Sequence, residues 1–168
     1  MQTHAMVDSP LGPLTLVARD GALAGLYFED HRRGLSGPPP GVLAPAGFDE
    51  VRRQLDAYFA GKRRVFELPL GAVGTAFQRA VWAELARIPY GETRSYGAIA
   101  RALGRPTAAR AVGAANARNP LSIVVPCHRV VGASGALTGY AGGEARKTFL
   151  LALESPVSGR RAPAQDAA

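Results

Sequence analysis

Segments with the alternation typical of β-strands lie together at the start of this 168-residue chain, and helical segments follow them. Residues 3–8, 14–19 and 22–28 each predict a strand. The first two are joined by the turn sequence Ser9-Pro10-Leu11-Gly12, and the last two by Asp20-Gly21, which predicts a tight hairpin. Strands followed by helices predict an α+β fold that begins with a three-stranded antiparallel sheet.

A loop and one helix complete the predicted N-terminal domain. Residues 34–47 contain four Gly and four Pro, so we expect an exposed loop without regular structure. The next apolar residues follow helical spacing and predict a helix that Gly61 ends. These residues are Phe48, Val51, Leu55 and Phe59. Residues 68–74 are typical of a connector, which gives an N-terminal α/β domain over residues 1–70.

Residues 71–155 are predicted to form a second, mostly helical domain. Thr75 and Gln78 match a capping box at the start of its first helix. Two short helices follow, over residues 96–103 and about 106–117, with a Gly-containing turn between them. This arrangement is typical of a helix-turn-helix.

The C-terminal segments surround the single cysteine of the chain. Apolar residues 121–125 predict a buried strand that runs into Cys127. A Gly-rich hairpin over residues 132–143 and a last helix ending near Glu154 follow. Residues 156–168 are expected to be a disordered tail.

Basic residues are concentrated in the second domain. Residues 1–74 hold eight Lys or Arg and eight Asp or Glu, whereas residues 75–155 hold ten and four. This surplus fits a polyanionic partner such as nucleic acid. However, 18 of the 20 basic residues are Arg, so the Arg usage of a GC-rich genome explains the charge equally well.

The chain has no sequence feature of membrane proteins or secreted proteins. No apolar run approaches the roughly 20 residues that a membrane span needs. The first four residues lack the basic and apolar stretches of a secretion signal. We therefore expect a cytoplasmic protein that does not associate with membranes.

A lone cysteine cannot form an internal disulfide or a Cys-rich zinc site. Cys127 is therefore a buried apolar residue, a stray thiol or a nucleophile. It stands in the segment Pro126-Cys127-His128-Arg129-Val130. The thiolate is the attacking form of cysteine, and a neighbouring imidazole acting as base makes thiolate available at neutral pH. This pairing favours a nucleophile, and a cysteine hydrolase is one class that would use it.

The helix predicted over residues 107–116 consists mainly of Ala and Gly, with Arg110 among them. A helix that reads the major groove of DNA carries Arg, Asn or Gln at several exposed positions. Small residues instead allow a helix to press into the minor groove, where sequence information is poor. A small-residue helix packed in a protein core is the alternative.

Three sequence blocks in the same order and spacing resemble the O6-alkylguanine-DNA alkyltransferase family, of the bacterial single-protein type. The match runs from about residue 75 to residue 154, with a weaker one at residues 8–14. The blocks are Pro89-Tyr90-Gly91-Glu92-Thr93-x-Ser95-Tyr96, Asn119-Pro120 through Pro126-Cys127-His128-Arg129-Val130, and Gly135-x-Leu137-x-Gly139-Tyr140-x-Gly142-Gly143-x-x-x-Lys147. The resemblance implies a ribonuclease H-like N-terminal domain and a winged helix-turn-helix-like C-terminal domain that holds the active site.

The resemblance also implies direct-reversal DNA repair. Such a single-turnover methyltransferase flips O6-alkylguanine out of double-stranded DNA through the minor groove and transfers the alkyl group irreversibly to Cys127. O4-alkylthymine is a second candidate substrate. We expect a monomer without a cofactor. Some family members bind zinc through N-terminal cysteines, which this chain lacks, so we expect no metal.

The resemblance implies roles for individual residues. Cys127 is the alkyl acceptor, His128 is its base through a water, and Glu154 orients His128. Asn119 is the hinge between recognition helix and active site, and Tyr96 crowds the target phosphate and donates a proton. Arg110 fills the gap left by the flipped base. Further DNA contacts are expected from Tyr96, Gly97, Ala109, Ala111 and Gly113. Pocket residues are expected to be Val130, Ser134, Tyr140 and Ala141.

Three residues depart from the family pattern, and two other functions are alternatives to repair. Ser122 and Thr138 differ from residues found in relatives, which affects the expected acceptance of bulky alkyl groups and base-analogue inhibitors. Ala141 stands where some relatives have Ser, which affects one expected hydrogen bond of the pocket. An alkyltransferase-like protein that binds damage without transfer is an alternative, although those relatives lack the acceptor cysteine. A helix-turn-helix transcription factor is another, although the chain shows no dimerisation stripe.

Overall fold

A sheet of four strands begins the fold of the computed structural model, which describes residues 1–31, 34–137 and 139–155. Strands β1 (Gln2–Val7), β2 (Leu14–Arg19) and β3 (Ala22–Phe28) are antiparallel neighbours, which confirms the three predicted strands. Asp20 and Gly21 have φ values of 51° and 83°. A tight hairpin turn of this kind needs positive φ at both central residues, so the predicted turn is also confirmed.

The fourth strand corrects the prediction that residues 34–47 lack regular structure. Strand β4 (Val42–Leu43) pairs with β1 in parallel, and a 3₁₀ turn (Pro45–Phe48) follows it. The sheet order is β3-β2-β1-β4. Pairing with an open sheet edge uses backbone groups and can therefore occur in a Gly- and Pro-rich segment. At Gly41 a Cβ atom would overlap the Gln2 carbonyl, so this glycine allows the close approach.

Helix α1 (Asp49–Phe59) belongs to the same core as the sheet. Its buried face includes Val51, Leu55 and Tyr58, whereas Phe59 is half-buried. The sequence predicted Phe59 as the last residue of the buried face, but the structure buries its neighbour Tyr58 instead. The expected connector over residues 68–74 also contacts the sheet, because Leu70 forms an isolated bridge with Leu23.

Three helices form the first part of the C-terminal half. Helix α2 (Ala76–Ala86) begins with the predicted capping box, in which Thr75 and Gln78 bond reciprocally. Strand β5 (Arg94–Ser95) leads into α3 (Tyr96–Ala102), whose first turn is capped by Ser95. Helix α4 (Ala109–Ala117) begins three residues later than predicted, because residues 105–108 form a turn closed by the Ala108 N–H bond to the Arg105 carbonyl.

The segment before Cys127 is not the predicted strand. Residues 121–125 form turns, and Ile123 has a φ of 73°, a value that β-branched residues rarely adopt. The segment is held against the sheet, where the Leu26 N–H donates to the Pro120 carbonyl at 2.8 Å. An apolar run predicts burial, but it does not distinguish a strand from other buried chain.

The remaining elements complete the frame of the site. A 3₁₀ turn (Cys127–Arg129) leads into β6 (Val130–Val131), which pairs in parallel with β5. The predicted Gly-rich hairpin is wrong, since the described residues between 132 and 143 form turns without strand pairing. Helix α5 (Glu144–Glu154) ends where predicted. The expected disordered tail, residues 156–168, lies outside the described residues, as does Thr138. In the described part of the chain, no helix has the length and apolar character to cross a membrane.

Candidate active site

Cys127 opens the 3₁₀ turn and is only 4% exposed. Its N–H donates to the Val125 carbonyl at 2.8 Å, and its carbonyl accepts from the Asn116 amide at 3.4 Å. Pro126 fixes the backbone immediately before it. The nucleophile is therefore held by a tight turn and not, as predicted, by the end of a strand.

The environment of the Cys127 sulphur combines burial with groups that favour the thiolate. Burial raises the pKa of the thiol, while hydrogen bonds from Asn119 and Tyr140 and the positive charge of Lys147 oppose this rise. Lys147 is itself fully buried, and its ammonium donates to the Val130 carbonyl at 2.5 Å. The thiol is thus mostly protonated at rest and needs a base to become reactive.

His128 has the geometry of that base. Its imidazole is fully buried, and Nε2 lies 2.8 Å from Glu154 Oε2. An ionised carboxylate only accepts hydrogen bonds, so Nε2 must carry the proton that joins the two residues. Burial lowers the pKa of His128, which leaves Nδ1 as a neutral acceptor. Nδ1 is buried and has no hydrogen-bond partner among the described residues.

Glu154 is ionised despite its burial. Burial raises the pKa of its carboxyl, but contacts with His128 and Arg129 outweigh burial and lower the pKa to about 2. Because burial keeps His128 largely neutral, we assign most of this lowering to the guanidinium. Arg129 donates from Nε to Oε1 at 2.8 Å and from Nη2 to Oε2 at 2.9 Å. The Tyr58 hydroxyl adds a third donor to Oε2, at 2.6 Å.

Asn119 connects the end of α4 to the site. Its amide nitrogen donates to the Val125 carbonyl at 2.9 Å, and its amide oxygen accepts from the Leu121 N–H at 3.0 Å. These bonds hold the turn segment before Cys127 closed at both ends. Ser122, in this segment, is buried and lies close enough to Tyr140 to oppose the rise that burial causes in the pKa of its phenol.

Tyr96 lies between α4 and the Gly-rich segment over residues 132–143. A Cβ atom at Gly139 would come 3.1 Å from the Tyr96 hydroxyl, and one at Gly113 would come 3.8 Å from its ring. Burial raises the pKa of the half-buried phenol, and the nearby Cys127 adds to this rise. The phenol is therefore protonated and able to donate near the nucleophile.

Helix α4 presents small residues to solvent. Arg110 and Ala111 are exposed, while Ala109 and Gly113 are half-buried, as is Gly97 on α3. The Arg110 guanidinium forms no hydrogen bond or ion pair with a described residue. Most of the other basic residues of this half are also exposed. They are Arg79, Arg87, Arg94, Arg101, Arg105 and Arg118.

The predicted pocket residues lie at different depths. Val130 and Tyr140 are buried, whereas Ala141 is half-buried and Ser134 is exposed. Ser134 lies in a turn in which the Gly135 N–H donates to the Gly132 carbonyl. The structure thus places Tyr140 beside Cys127, buries Val130 in the same core and leaves Ser134 at the surface.

Three members of this cluster had no predicted role: Tyr58, Arg129 and Lys147. Lys147 shares a helix face with Leu150 and Glu154, so a lysine on an otherwise buried face was the available signal. Tyr58 lies 96 residues from Glu154, and no local pattern indicates their contact. Across the described ranges, no group of three or more His, Cys, Asp or Glu residues could hold a metal ion.

Fold and site together define a class: an α+β protein whose helical half holds a buried cysteine next to a histidine–glutamate pair. Comparison with family models agrees. Residues 3–72 match the ribonuclease-like domain of 6-O-methylguanine DNA methyltransferase, and residues 76–156 match its DNA binding domain. The chain belongs to the 6-O-methylguanine DNA methyltransferase family.

Whole-chain relatives support this assignment. A methylated-DNA–protein-cysteine methyltransferase of Mycolicibacterium paratuberculosis is 52% identical over 166 residues, which cover 94% of this chain and 97% of the relative. One of the same name from Methanosarcina acetivorans is 49% identical, covering 90% and 97%.

Solved structures show the same fold. The crystal structure of Mycobacterium tuberculosis O6-methylguanine methyltransferase has a TM-score of 0.85 and 46% identity, covering 99% of this chain and 98% of that one. The crystal structure of Mycobacterium tuberculosis OGT in complex with DNA has a TM-score of 0.82 and 50% identity, covering 90% and 92%.

Proposed function

We propose that this protein repairs O6-alkylguanine in double-stranded DNA by accepting the alkyl group on Cys127, once per molecule. One observation carries the proposal: the only cysteine of the chain is buried beside a histidine whose tautomer leaves Nδ1 free to accept a proton. The two relatives described above are named for methyl transfer from DNA to a protein cysteine.

The proposed reaction is a direct displacement. His128 Nδ1 takes the thiol proton through a bridging water, and Glu154 stabilises the resulting imidazolium. The thiolate sulphur then bonds to the alkyl carbon while the carbon–O6 bond breaks, and its electron pair goes to the guanine. Tyr96 donates a proton to the leaving guanine and regains one from the imidazolium. The products are unmodified guanine and an S-alkyl cysteine.

The proposed chemistry ends at the S-alkyl cysteine. A thioether is stable in water, and a hydrolase would instead need an intermediate that water can cleave. The protein is therefore a reactant that is consumed. A damage-binding protein without transfer is the alternative, and the presence of Cys127 disfavours it.

Access to the buried Cys127 requires the damaged nucleotide to leave the helix stack. Extruding a nucleotide costs a few kcal/mol, and less when the base pairs poorly. The small residues of α4, including Ala109, Ala111 and Gly113, would allow its backbone to approach the minor groove. Arg110, exposed and without a partner among the described residues, would fill the vacated position in the stack.

The proposal includes the setting of the reaction. We propose two domains, residues 1–70 and 71–155, with the basic residues of the second facing DNA. We also propose that the protein acts as a monomer in the cytoplasm, since a bacterial-type repair protein must reach its DNA substrate there. O4-alkylthymine remains a second candidate substrate.

Mass spectrometry of the intact protein tests the proposal. With excess O6-methylguanine oligonucleotide, the repaired base should reach a plateau at one equivalent per protein. The peptide that contains Cys127 should gain the mass of one methylene, and Cys127→Ser should bind the oligonucleotide without repairing it. Continued turnover, or added mass on another peptide, would contradict the proposal.

A further inference from the structure

Tyr58 connects the N-terminal half to the base of the proposed reaction. It lies on α1, is fully buried, and donates its hydroxyl to Glu154 Oε2 at 2.6 Å. Aromatic rings pack around it, with centroids of Phe59 and Phe66 at 5.3 Å and of Tyr90 at 6.3 Å. Such packing fixes the ring, so the direction of the hydroxyl is fixed as well.

The hydrogen bonds of Glu154 are divided unevenly between its two oxygens. Oε1 accepts from Arg129 Nε, whereas Oε2 accepts from Arg129 Nη2, from Tyr58 and from His128 Nε2. The two guanidinium bonds already fix the plane of the carboxylate. The Tyr58 hydroxyl is therefore not needed to orient Glu154, and its main effect is on the charge of the oxygen that faces His128.

This effect reaches Nδ1 of the imidazole. A carboxylate oxygen with fewer donors attracts the Nε2 proton more strongly, which makes the other ring nitrogen more basic. A base that must accept the thiol proton has to be unprotonated beforehand. We propose that Tyr58 is a positioning residue of the transfer reaction: by donating to Glu154 Oε2 it keeps His128 Nδ1 unprotonated and ready for the Cys127 proton. The inference rests on the proposed function.

Other charged and titratable groups face the same pair. Arg129 and Lys147 each disfavour a proton on His128, and burial acts in the same direction. The Arg129 guanidinium carbon lies 5.7 Å from the centroid of the Tyr90 ring, and the Arg64 guanidinium carbon lies 5.0 Å from the same centroid. Arg129 is the charged donor to Oε2, and Tyr58 is a neutral donor that a substitution can remove.

The test measures alkylation of Cys127 by iodoacetamide across pH, without DNA. We compare the alkylation rate of Tyr58→Phe with that of the wild type at two pH values. The ratio of mutant to wild-type rate should be at least about threefold lower near pH 5.5 than near pH 8, because a donor to the charged carboxylate is lost. Tyr90→Phe is the matched control. Its hydroxyl donates to the Leu153 carbonyl of α5 at 3.3 Å, so the ratio of its rate to the wild-type rate should not change with pH.

A second substitution makes the test two-sided. Site-specific replacement of Tyr58 by 3-fluorotyrosine keeps the ring and strengthens the donor, so the pH dependence should move in the opposite direction. If Tyr58→Phe does not fold, the pH dependence of the 3-fluorotyrosine protein still tests the inference. Equal pH profiles for wild type, Tyr58→Phe and the fluorinated protein would overturn the inference, as would the same change in Tyr90→Phe. Failure of methyl transfer from DNA in the wild type would instead overturn the proposed function alone.

Discussion

Replacing Arg129 by Met should destabilise the protein strongly, because it leaves the Glu154 carboxylate buried without its fixed positive partner. The side chains of Arg129 and Glu154 are 9% and 1% exposed. The substitution removes the two bonds to the carboxylate and the bond from Nη1 to the Ile88 carbonyl at 2.6 Å. Met fills similar volume, so the change tests the charge and hydrogen bonds more than the packing.

Two estimates of the magnitude agree. Removing one partner of a buried ion pair costs about 3–5 kcal/mol. The pKa of Glu154 is lowered from 4.5 to about 2, and at about 1.4 kcal/mol for each unit this corresponds to about 3.5 kcal/mol, which Arg129 shares with His128. A domain of this size melts about 2–4 °C lower for each kcal/mol lost. We therefore expect a melting temperature roughly 6–20 °C below the wild-type value.

Calorimetry at neutral pH, with Arg53→Met as control, tests this expectation. Arg53 pairs with Glu50 at the surface, where both side chains are more than half exposed, so its loss should cost less than about 1 kcal/mol. Adding Glu154→Gln to Arg129→Met should recover part of the loss, since the unpaired charge is then removed. Equal melting of the Arg129 and Arg53 variants, or strictly additive losses in the double variant, would refute the reasoning.

The same pair sets an acid limit to stability. The folded-state pKa of Glu154 lies below its unfolded value, so its stabilisation is complete above about pH 5 and is lost as pH falls toward about 2. Arg129→Met should therefore lose stability less steeply than wild type over this range.

Three further predictions concern the nucleophile and DNA. Lys147→Met should slow iodoacetamide alkylation of Cys127 near neutral pH, because losing the nearby charge raises the thiol pKa; an unchanged pH–rate profile would exclude this role. Arg110→Ala should reduce repair of duplex DNA by about tenfold or more but leave reaction with free O6-methylguanine base unchanged, since base flipping costs a few kcal/mol. Equal losses in the two assays would mean that Arg110 supports the fold. Methylation of Cys127 should lower the melting temperature by several degrees, because an added methylene in a packed site costs about 1–3 kcal/mol and the Asn119 and Tyr140 bonds to sulphur weaken. Identical melting of free and methylated protein would contradict this coupling.

The sequence predicted those structural features that depend on residues close together in the chain. The alternation of residues 14–19 and 22–28, the Asp20-Gly21 turn and the Thr75–Gln78 capping box all correspond to observed elements. Each depends on the backbone preferences of neighbouring residues or on a hydrogen bond across three positions. Cys127 and His128 could be predicted as a pair for the same reason, because they are adjacent in the chain.

Contacts between distant segments were decided only by the tertiary structure. Strand β4 pairs with β1 through backbone groups, which a Gly- and Pro-rich sequence does not indicate. The turns at residues 121–125 follow from their docking on β3, although an apolar run fits a strand equally well. Tyr58 and Arg129 meet Glu154 from 96 and 25 residues away. A buried carboxylate needs compensating donors, but a sequence pattern does not show which of the chain's tyrosines and arginines supply them, because that depends on how whole elements pack.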